Sequence, residues 1–264
     1  MIRWCAYCQN YLGEAEPFDK FRISHGICSK CVESGIIEDK TAQDRLRRLS
    51  GFFTDLRREA REGISSHPKD WVNKASELGI KPESLLVGLL QPALYEIGEL
   101  WLKGEVSVAT EHRFSAFAEE LIHVIYQNYP GLSANRRAGQ PDVLLTNADG
   151  NYHTLGVKFM EIGLLAAGLN THALLPGLPT AEILRQAALL KPKALGLSVC
   201  MPSQVELIKE LSGAVAGLPE TQRPLLLAGG RLVKEGLVLP PEYGVICCSA
   251  ISDFPFDRLR AGTV

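Results

Sequence analysis

Apolar positions follow two different rhythms in this chain, and the change from one to the other divides it. From Lys40 to Glu62, Leu46, Leu49, Phe53, Leu56 and Ala60 recur at helical spacing among charged residues, which predicts an amphipathic helix closed by Gly63. Its arginines (Arg45, Arg47, Arg48, Arg57, Arg58 and Arg61) are balanced by Asp44, Asp55, Glu59 and Glu62, the pattern of a solvated face. Pro68 to Leu78 predicts a second helix, stopped by Gly79. A third opens at Lys81-Pro82-Glu83-Ser84 and runs to Trp101, with a kink expected at Pro92 because proline lacks the amide donor. Gly104 breaks the chain, and Glu105 to Tyr126 predicts a fourth. Four helices with short connections predict a bundle.

After Pro130 the rhythm changes. The stretch from Pro130 to Pro141 is turn-rich, basic and poor in apolar residues, as an interdomain connection should be. Beyond it, short apolar runs alternate with helical segments: Val143 to Leu145, His172 to Leu175, Ala194 to Val199, Leu225 to Ala228 and Val245 to Ser249 each precede one. Near-continuous apolar strands in that arrangement predict a doubly wound parallel sheet of Rossmann-like type. The fold class is therefore α/β, with divisions expected at 1–39 for a small N-terminal module, 40–130 for the bundle, 131–141 for the linker and 142–264 for the sheet domain.

Composition narrows the reading. With 264 residues, 46% of them hydrophobic and 22% charged, the chain can bury two cores. A formal net charge of −2 gives no global basic field to advertise nucleic acid. No apolar run is expected to reach membrane-span length, and Met1-Ile2-Arg3-Trp4 leads into Cys5 rather than a signal-peptide core. The expectation is a cytoplasmic protein with no membrane partner. Seven cysteines in that setting argue for metal binding or packing over a disulfide framework.

Four of them are spaced as a site. Cys5-x2-Cys8 and Cys28-x2-Cys31 form two pairs with nineteen residues between them, the spacing of a zinc ribbon in which two tight turns present four thiolates tetrahedrally. His25 lies close by. Cys200, Cys247 and Cys248 fall at strand ends without metal-like spacing and read as packing residues. Zinc ribbons bind nucleic acid or protein, and the few basic residues here favour protein.

The richest loop runs from Asn147 to Gly156, after the first apolar run of the sheet. It places His153 at the carboxyl edge of the predicted sheet, where open α/β sheets bind ligands. Asn151-x-His153-x-x-Gly156 resembles the Asp-x-His-x-x-Gly signature of cobalamin-binding domains. In that family the histidine ligates cobalt from below and the nucleotide tail of the cofactor threads into the sheet. Ser198-Val199 and Gly229-Gly230, each ending a later strand, match two further landmarks, and small side chains there allow close backbone approach. Asn151 stands where the family usually has an acid, so it can orient the histidine but not raise its basicity as a carboxylate would.

Upstream, Trp101-x9-Glu111-His112 closely resembles the helical cap of CarH-type adenosylcobalamin photoreceptors, whose tryptophan, glutamate and histidine cover the upper face of the corrin. An indole supplies flat apolar area, and a Glu-His pair supplies hydrogen-bond partners. Leu102 follows the tryptophan where the best-known members carry a histidine that captures cobalt after illumination. His123 is too distant from this corner for that role and reads as structural, as does His172. The resemblance implies adenosylcobalamin between bundle and sheet, with His153 below cobalt and Trp101, Glu111 and His112 above. It further implies a homo-oligomer and a sensor whose N-terminal module, in the place of a MerR-type DNA-binding domain, passes the signal to a signalling protein or DNA. Two alternatives stay open: a corrinoid carrier for methyl transfer, and a regulator that answers to cobalamin without light. The carrier alone would be an enzyme component.

Overall fold

The computed structural model describes residues 1–264 apart from 18–19, 36–40, 64–65 and 261–264. Lys40, the expected start of the first long helix, and the expected boundary at 39/40 lie outside the described residues. The chain divides into two compact units, Met1–Asn128 and Tyr129–Val264.

The first unit opens with β1 (Ile2–Cys5), β2 (Tyr11–Glu14) and β3 (Ile23–Gly26), followed by α1 (Ser29–Glu33). Strand β1 is central, antiparallel to β2 and parallel to β3. The bundle helices are α2 (Ala42–Glu62), α3 (Pro68–Glu77), α4 (Pro82–Leu85), α5 (Gln91–Leu102) and α6 (Val108–Asn128). Helix α2 buries Leu49, Phe53, Leu56 and Ala60 of the expected stripe, leaves Leu46 only half-buried and adds Phe52, which meets Trp71 of α3 edge to face at 4.9 Å.

Between α4 and α5 the backbone widens into a π turn, Leu86–Leu90, whose last carbonyl bond runs from the Gln91 N–H back to the Leu86 oxygen. This irregularity falls in the turn before Pro92, where a kink was expected. A proline ring clashes with the carbonyl four residues earlier and donates nothing to it, and a wider turn accommodates both faults. The continuous rod Pro82–Leu102 is long and apolar enough, by length and composition alone, to cross a membrane, contrary to the expectation from sequence; half of its most apolar window is buried. Leu85, Leu86, Leu89, Leu90 and Ile97 are core residues of the unit.

The second unit begins with α7 (Pro130–Asn135), so the segment read as a linker is partly helical. Proline at the first helical turn loses no hydrogen bond there. Then follow β4 (Val143–Asn147), α8 (Thr154–Ala166), β5 (Thr171–Leu174), α9 (Thr180–Leu190), β6 (Ala194–Ser198), α10 (Val205–Ala216), β7 (Leu225–Gly229), α11 (Arg231–Lys234), β8 (Val245–Cys247) and α12 (Phe256–Arg260). The five strands are parallel in the order β5-β4-β6-β7-β8. Alternate residues feed two cores: Leu144, Leu195, Leu197, Leu226 and Ala228 pack with α9 and α10, whereas Val143, Leu145, Ala194 and Leu227 pack with α8 and Leu259. The strand order reverses at β4 and β6, and the carboxyl edge at that reversal is the general ligand-binding crevice of such sheets.

Candidate functional site

The loop after β4 is pinned to the sheet by buried amides. Asn147, fully buried at the end of the strand, donates from Nδ2 to the His153 carbonyl at 3.1 Å. Asn151, also buried, donates from Nδ2 to the Ser198 carbonyl at 3.0 Å and accepts the His153 N–H on Oδ1 at 3.0 Å. The backbone N–H of Ala148 shares the Ser198 carbonyl at 2.9 Å. Asn151 therefore touches the backbone of His153, and its part is to shape the loop rather than to orient the ring. A carboxylate at this position could accept the amide but not donate to the carbonyl.

The same edge gathers the other predicted residues. The Val199 N–H reaches the Gly229 carbonyl at 2.9 Å. Val199 itself is a core side chain, so it offers the edge backbone alone. Gly230 has φ +101°, and a Cβ there would lie 2.5 Å from the Val199 oxygen and 3.0 Å from the Ser198 hydroxyl. Gly156 sits exposed in the first turn of α8 with open space around it. Gly177, after β5, rides so close to this loop that a Cβ would stand 2.3 Å from the Ala148 oxygen.

Two features of the edge invite a ligand. The imidazole of His153 is exposed and makes no hydrogen bond among the described residues. The Asn147 Oδ1 is buried without a partner among the described residues, an acceptor that burial would normally see satisfied. Reading the sequence gave Asn147 no role; a polar residue closing an apolar strand is the signal that marks it. Beside His153, Tyr152 is 76% exposed.

In the first unit, Trp101 and Leu102 end α5, and Glu111 and His112 lie in the opening turn of α6. Gly104, at φ +73°, turns the chain, and its neighbour Glu105 donates back to the Leu100 carbonyl at 2.8 Å, a left-handed helix closure of the kind glycine permits. Ser107 caps the next helix by accepting the Thr110 N–H at 3.1 Å. Trp101, 45% exposed, ends the helix before this turn, and after it Glu111 accepts from the Ser115 hydroxyl at 2.8 Å and pairs with His112 Nδ1. Leu102 and Val108 are exposed beside it. His123 pairs with Gln127 at 2.9 Å, away from this corner, and His172 with the Arg137 carbonyl at 3.0 Å.

Below the corner sits a residue the sequence concealed. Glu96 of α5 is buried and held by Arg57, through both carboxylate oxygens, and by Arg61. Burial alone would push its carboxyl up, but hydrogen bonds and charge from the two arginines outweigh that and hold it below the ordinary range. The arginine face of α2 is thus not simply solvated: Arg57 is only 27% exposed and also stacks over Phe53 at 5.6 Å.

The four N-terminal cysteines converge, with all Sγ atoms within 4.8 Å of one another. Cys5 and Cys31 are 3.8 Å apart, and Cys8 and Cys28 3.6 Å. Tetrahedral thiolates about 2.3 Å from a zinc ion stand about 3.8 Å apart, so the donor set fits, and the separations are far too long for disulfides. One detail departs from the ribbon expectation. Cys5 and Cys8 share a tight turn closed by Gln9, which takes φ +58° and donates its N–H to the Cys5 carbonyl, but Cys28 caps α1 and Cys31 lies within it. The second pair is thus carried by a helix start, not a second knuckle. Burial raises the Cys5 thiol, yet backbone N–H groups of Cys8, Cys28 and Tyr7 bring it down to about 6. Cys8 and Cys31 are pushed up, first by burial and then by neighbouring thiols; a cation would let all four ionise together. His25 is exposed and outside the cluster.

Residues 53–126 match the family model described as the B12 binding domain. The bundle is similar to that domain over the matched stretch. The match spans the later part of α2 and nearly all of α3 through α6. Among solved structures, the fold is similar to the monomethylamine corrinoid protein of Methanosarcina barkeri, with TM-score 0.60 and 16% identity over 80% of this chain and 97% of that one. Weaker likenesses are to the methanol:cobalamin methyltransferase complex of the same organism (TM-score 0.41, 18% identity, 90% and 95% covered) and a cobalamin-binding protein from Desulfitobacterium hafniense DCB-2 (TM-score 0.39, 15% identity, 80% and 95% covered). No curated protein matched the sequence.

Proposed function

We propose that the chain is a cobalamin-binding sensor that uses adenosylcobalamin, with His153 as the lower axial ligand and Trp101, Glu111 and His112 covering the upper face. The reading rests above all on the α5–α6 corner. It stands inside the matched B12 binding domain and offers an exposed indole at the end of one helix and a Glu-His pair in the opening turn of the next, features that bundle packing alone does not require. The cofactor would supply a cobalt centre with a light-labile upper ligand.

Each residue then has a task. His153 presents an imidazole unencumbered by hydrogen bonds on a loop fixed by Asn147 and Asn151. Asn147 Oδ1 and the glycine-lined backbone at Gly229 and Gly230 receive the polar tail of the cofactor. Trp101 excludes water above, while Glu111 and His112 bond to sugar or base. Cys5, Cys8, Cys28 and Cys31 hold zinc, and their module carries the output toward a signalling protein or DNA. Light is the signal in this reading, with Leu102 leaving the capture of cobalt after illumination to another group.

The test is an absorption spectrum of the full chain reconstituted with adenosylcobalamin in darkness and again after green light, for wild type and His153→Ala. Histidine-ligated cobalamin that converts irreversibly in wild type, with ligation lost in the variant, is the expected outcome. Absence of binding sinks the reading. Binding without a light-dependent change in size or partner affinity transfers it to the second reading, a corrinoid methyl carrier serving a methyltransferase subunit, which the likeness to the monomethylamine corrinoid protein favours.

A further inference from the structure

The cysteine module and the cap helix are joined at a single tight seat. Trp4 directly precedes Cys5 and is wholly buried, and Tyr11 follows Cys8 by three residues at the start of β2. Both rings lie on Gly88, in the middle of the π turn: a Cβ at that position would stand 2.5 Å from the Trp4 ring and 2.9 Å from the Tyr11 ring. The Tyr11 N–H is 3.4 Å from the hydroxyl of Ser84, itself buried one residue before the end of α4. The same rod continues without a break to Trp101.

This joint connects two things with opposite habits. A module this short cannot hold a core on its own without a metal or disulfide, and its largest buried side chain, Trp4, is packed partly outside the module, on the helix. A π turn in turn leaves the rod's hydrogen-bond ladder irregular at the point where the two rings rest. Holding β1 and the Cys5–Cys8 turn in shape holds the rings, and the rings hold the turn.

We propose that metal at Cys5, Cys8, Cys28 and Cys31 regulates the cap: its binding seats Trp4 and Tyr11 on Gly88 and thereby fixes the rod that ends at Trp101. The coupling deepens the cobalamin reading, and its link to corrinoid rests on that reading, but the joint itself does not. Coupling between two sites is reciprocal. Crowding Gly88 must therefore weaken the metal site just as emptying the metal site loosens the helix.

The experiment is hydrogen–deuterium exchange on the full chain with Zn2+ bound and after its removal by a chelator. Residues 82–102 are expected to exchange on the order of tenfold faster without zinc, while strands β4, β6 and β7 keep their rates. Equal rates at 82–102 in the two states overturn the proposal, as does a uniform increase across both units, which is global unfolding. Failure to bind Zn2+ also overturns it.

Because cysteine variants can misfold, a second arm keeps all four. Gly88→Ala should weaken Zn2+ binding by roughly tenfold in competition with a chelating dye, whereas Gly98→Ala, where a Cβ meets open space, should not. Unchanged zinc affinity in Gly88→Ala defeats the coupling. Binding of hydroxocobalamin is measured alongside. If neither zinc state binds it, the cobalamin reading fails while the exchange result still decides the joint.

Discussion

Around His153 the backbone is locked by buried side-chain amides, whereas around Trp101 the working side chains stand in solvent at a helix end. In the first region, Asn147 and Asn151 make two hydrogen bonds between loop and sheet and a third within the loop, and Gly177 lets the next loop press against it. In the second, Gly104 and Ser107 set the turn, but the indole of Trp101, the ring of His112 and the side chain of Leu102 meet few constraints. The His153 loop is built to hold a shape, and the Trp101 corner to adapt to what arrives. The proposed sensor would use that asymmetry, since a switch works through differential fit to two states.

The sharpest way to challenge the contrast is beneath the exposed corner. Replacing Glu96 by Gln leaves Arg57 and Arg61 facing an amide, and should destabilise the first unit by about 3 kcal/mol. All three tryptophans, Trp4, Trp71 and Trp101, lie in that unit, so indole fluorescence in a urea titration reports it selectively. The pH dependence has a defined sign. Because the arginines depress the Glu96 carboxyl in the folded state, its contribution is complete above the unfolded value of about 4.3 and disappears as pH falls through the lower folded value. Wild type should therefore lose stability over that acid range while Glu96→Gln stays flatter. A neutral Glu96→Gln would mean that the corner's support is as loose as its surface.

Next in size is Asn151→Asp, which restores the residue usual in the resembled cobalamin signature but removes the donor to Ser198. The expected cost is about 2 kcal/mol in the second unit, read by far-UV dichroism with the tryptophan transition unmoved. A fully stable aspartate variant would show that the loop relaxes freely, and the contrast with the corner would collapse. The smallest effect on folding is expected from Trp101→Ala, within about 0.5 kcal/mol of wild type because the side chain is largely exposed. Its corrinoid affinity should nonetheless fall about tenfold or more, measured by titration with adenosylcobalamin in darkness. A large stability loss instead would make Trp101 a packing residue.

Much of this was readable in the chain. Uninterrupted apolar runs such as Val143 to Leu145 and Ala194 to Val199 signal strands buried on both faces, and the observed sheet alternates its residues between two cores accordingly. The cysteine spacing announced the cluster, since metal geometry leaves a strong mark on sequence. Glu96 was hidden because a glutamate in a helix looks solvated until its partners are known, and those partners lie on a helix some forty residues earlier. The π turn was hidden for a related reason: side-chain periodicity fixes which face is buried, not which carbonyl each N–H selects. Asn151 was misjudged in role because a motif gives neighbours in sequence, while its second bond crosses to another strand at Ser198.

The π turn also sets an angle. Widening one turn takes up a residue that a regular helix would spend on rotation, and each residue of an α-helix rotates the next by about 100°. Drawn as a regular helix of the same length, Leu86–Leu90 would swing everything after it, Trp101 included, by about that angle around the axis, whereas deleting one residue there should restore an ordinary spiral and leave the bearing of Trp101 where it is. The compass bearing of the indole is thus written fifteen residues or so upstream, in a stretch that never approaches it.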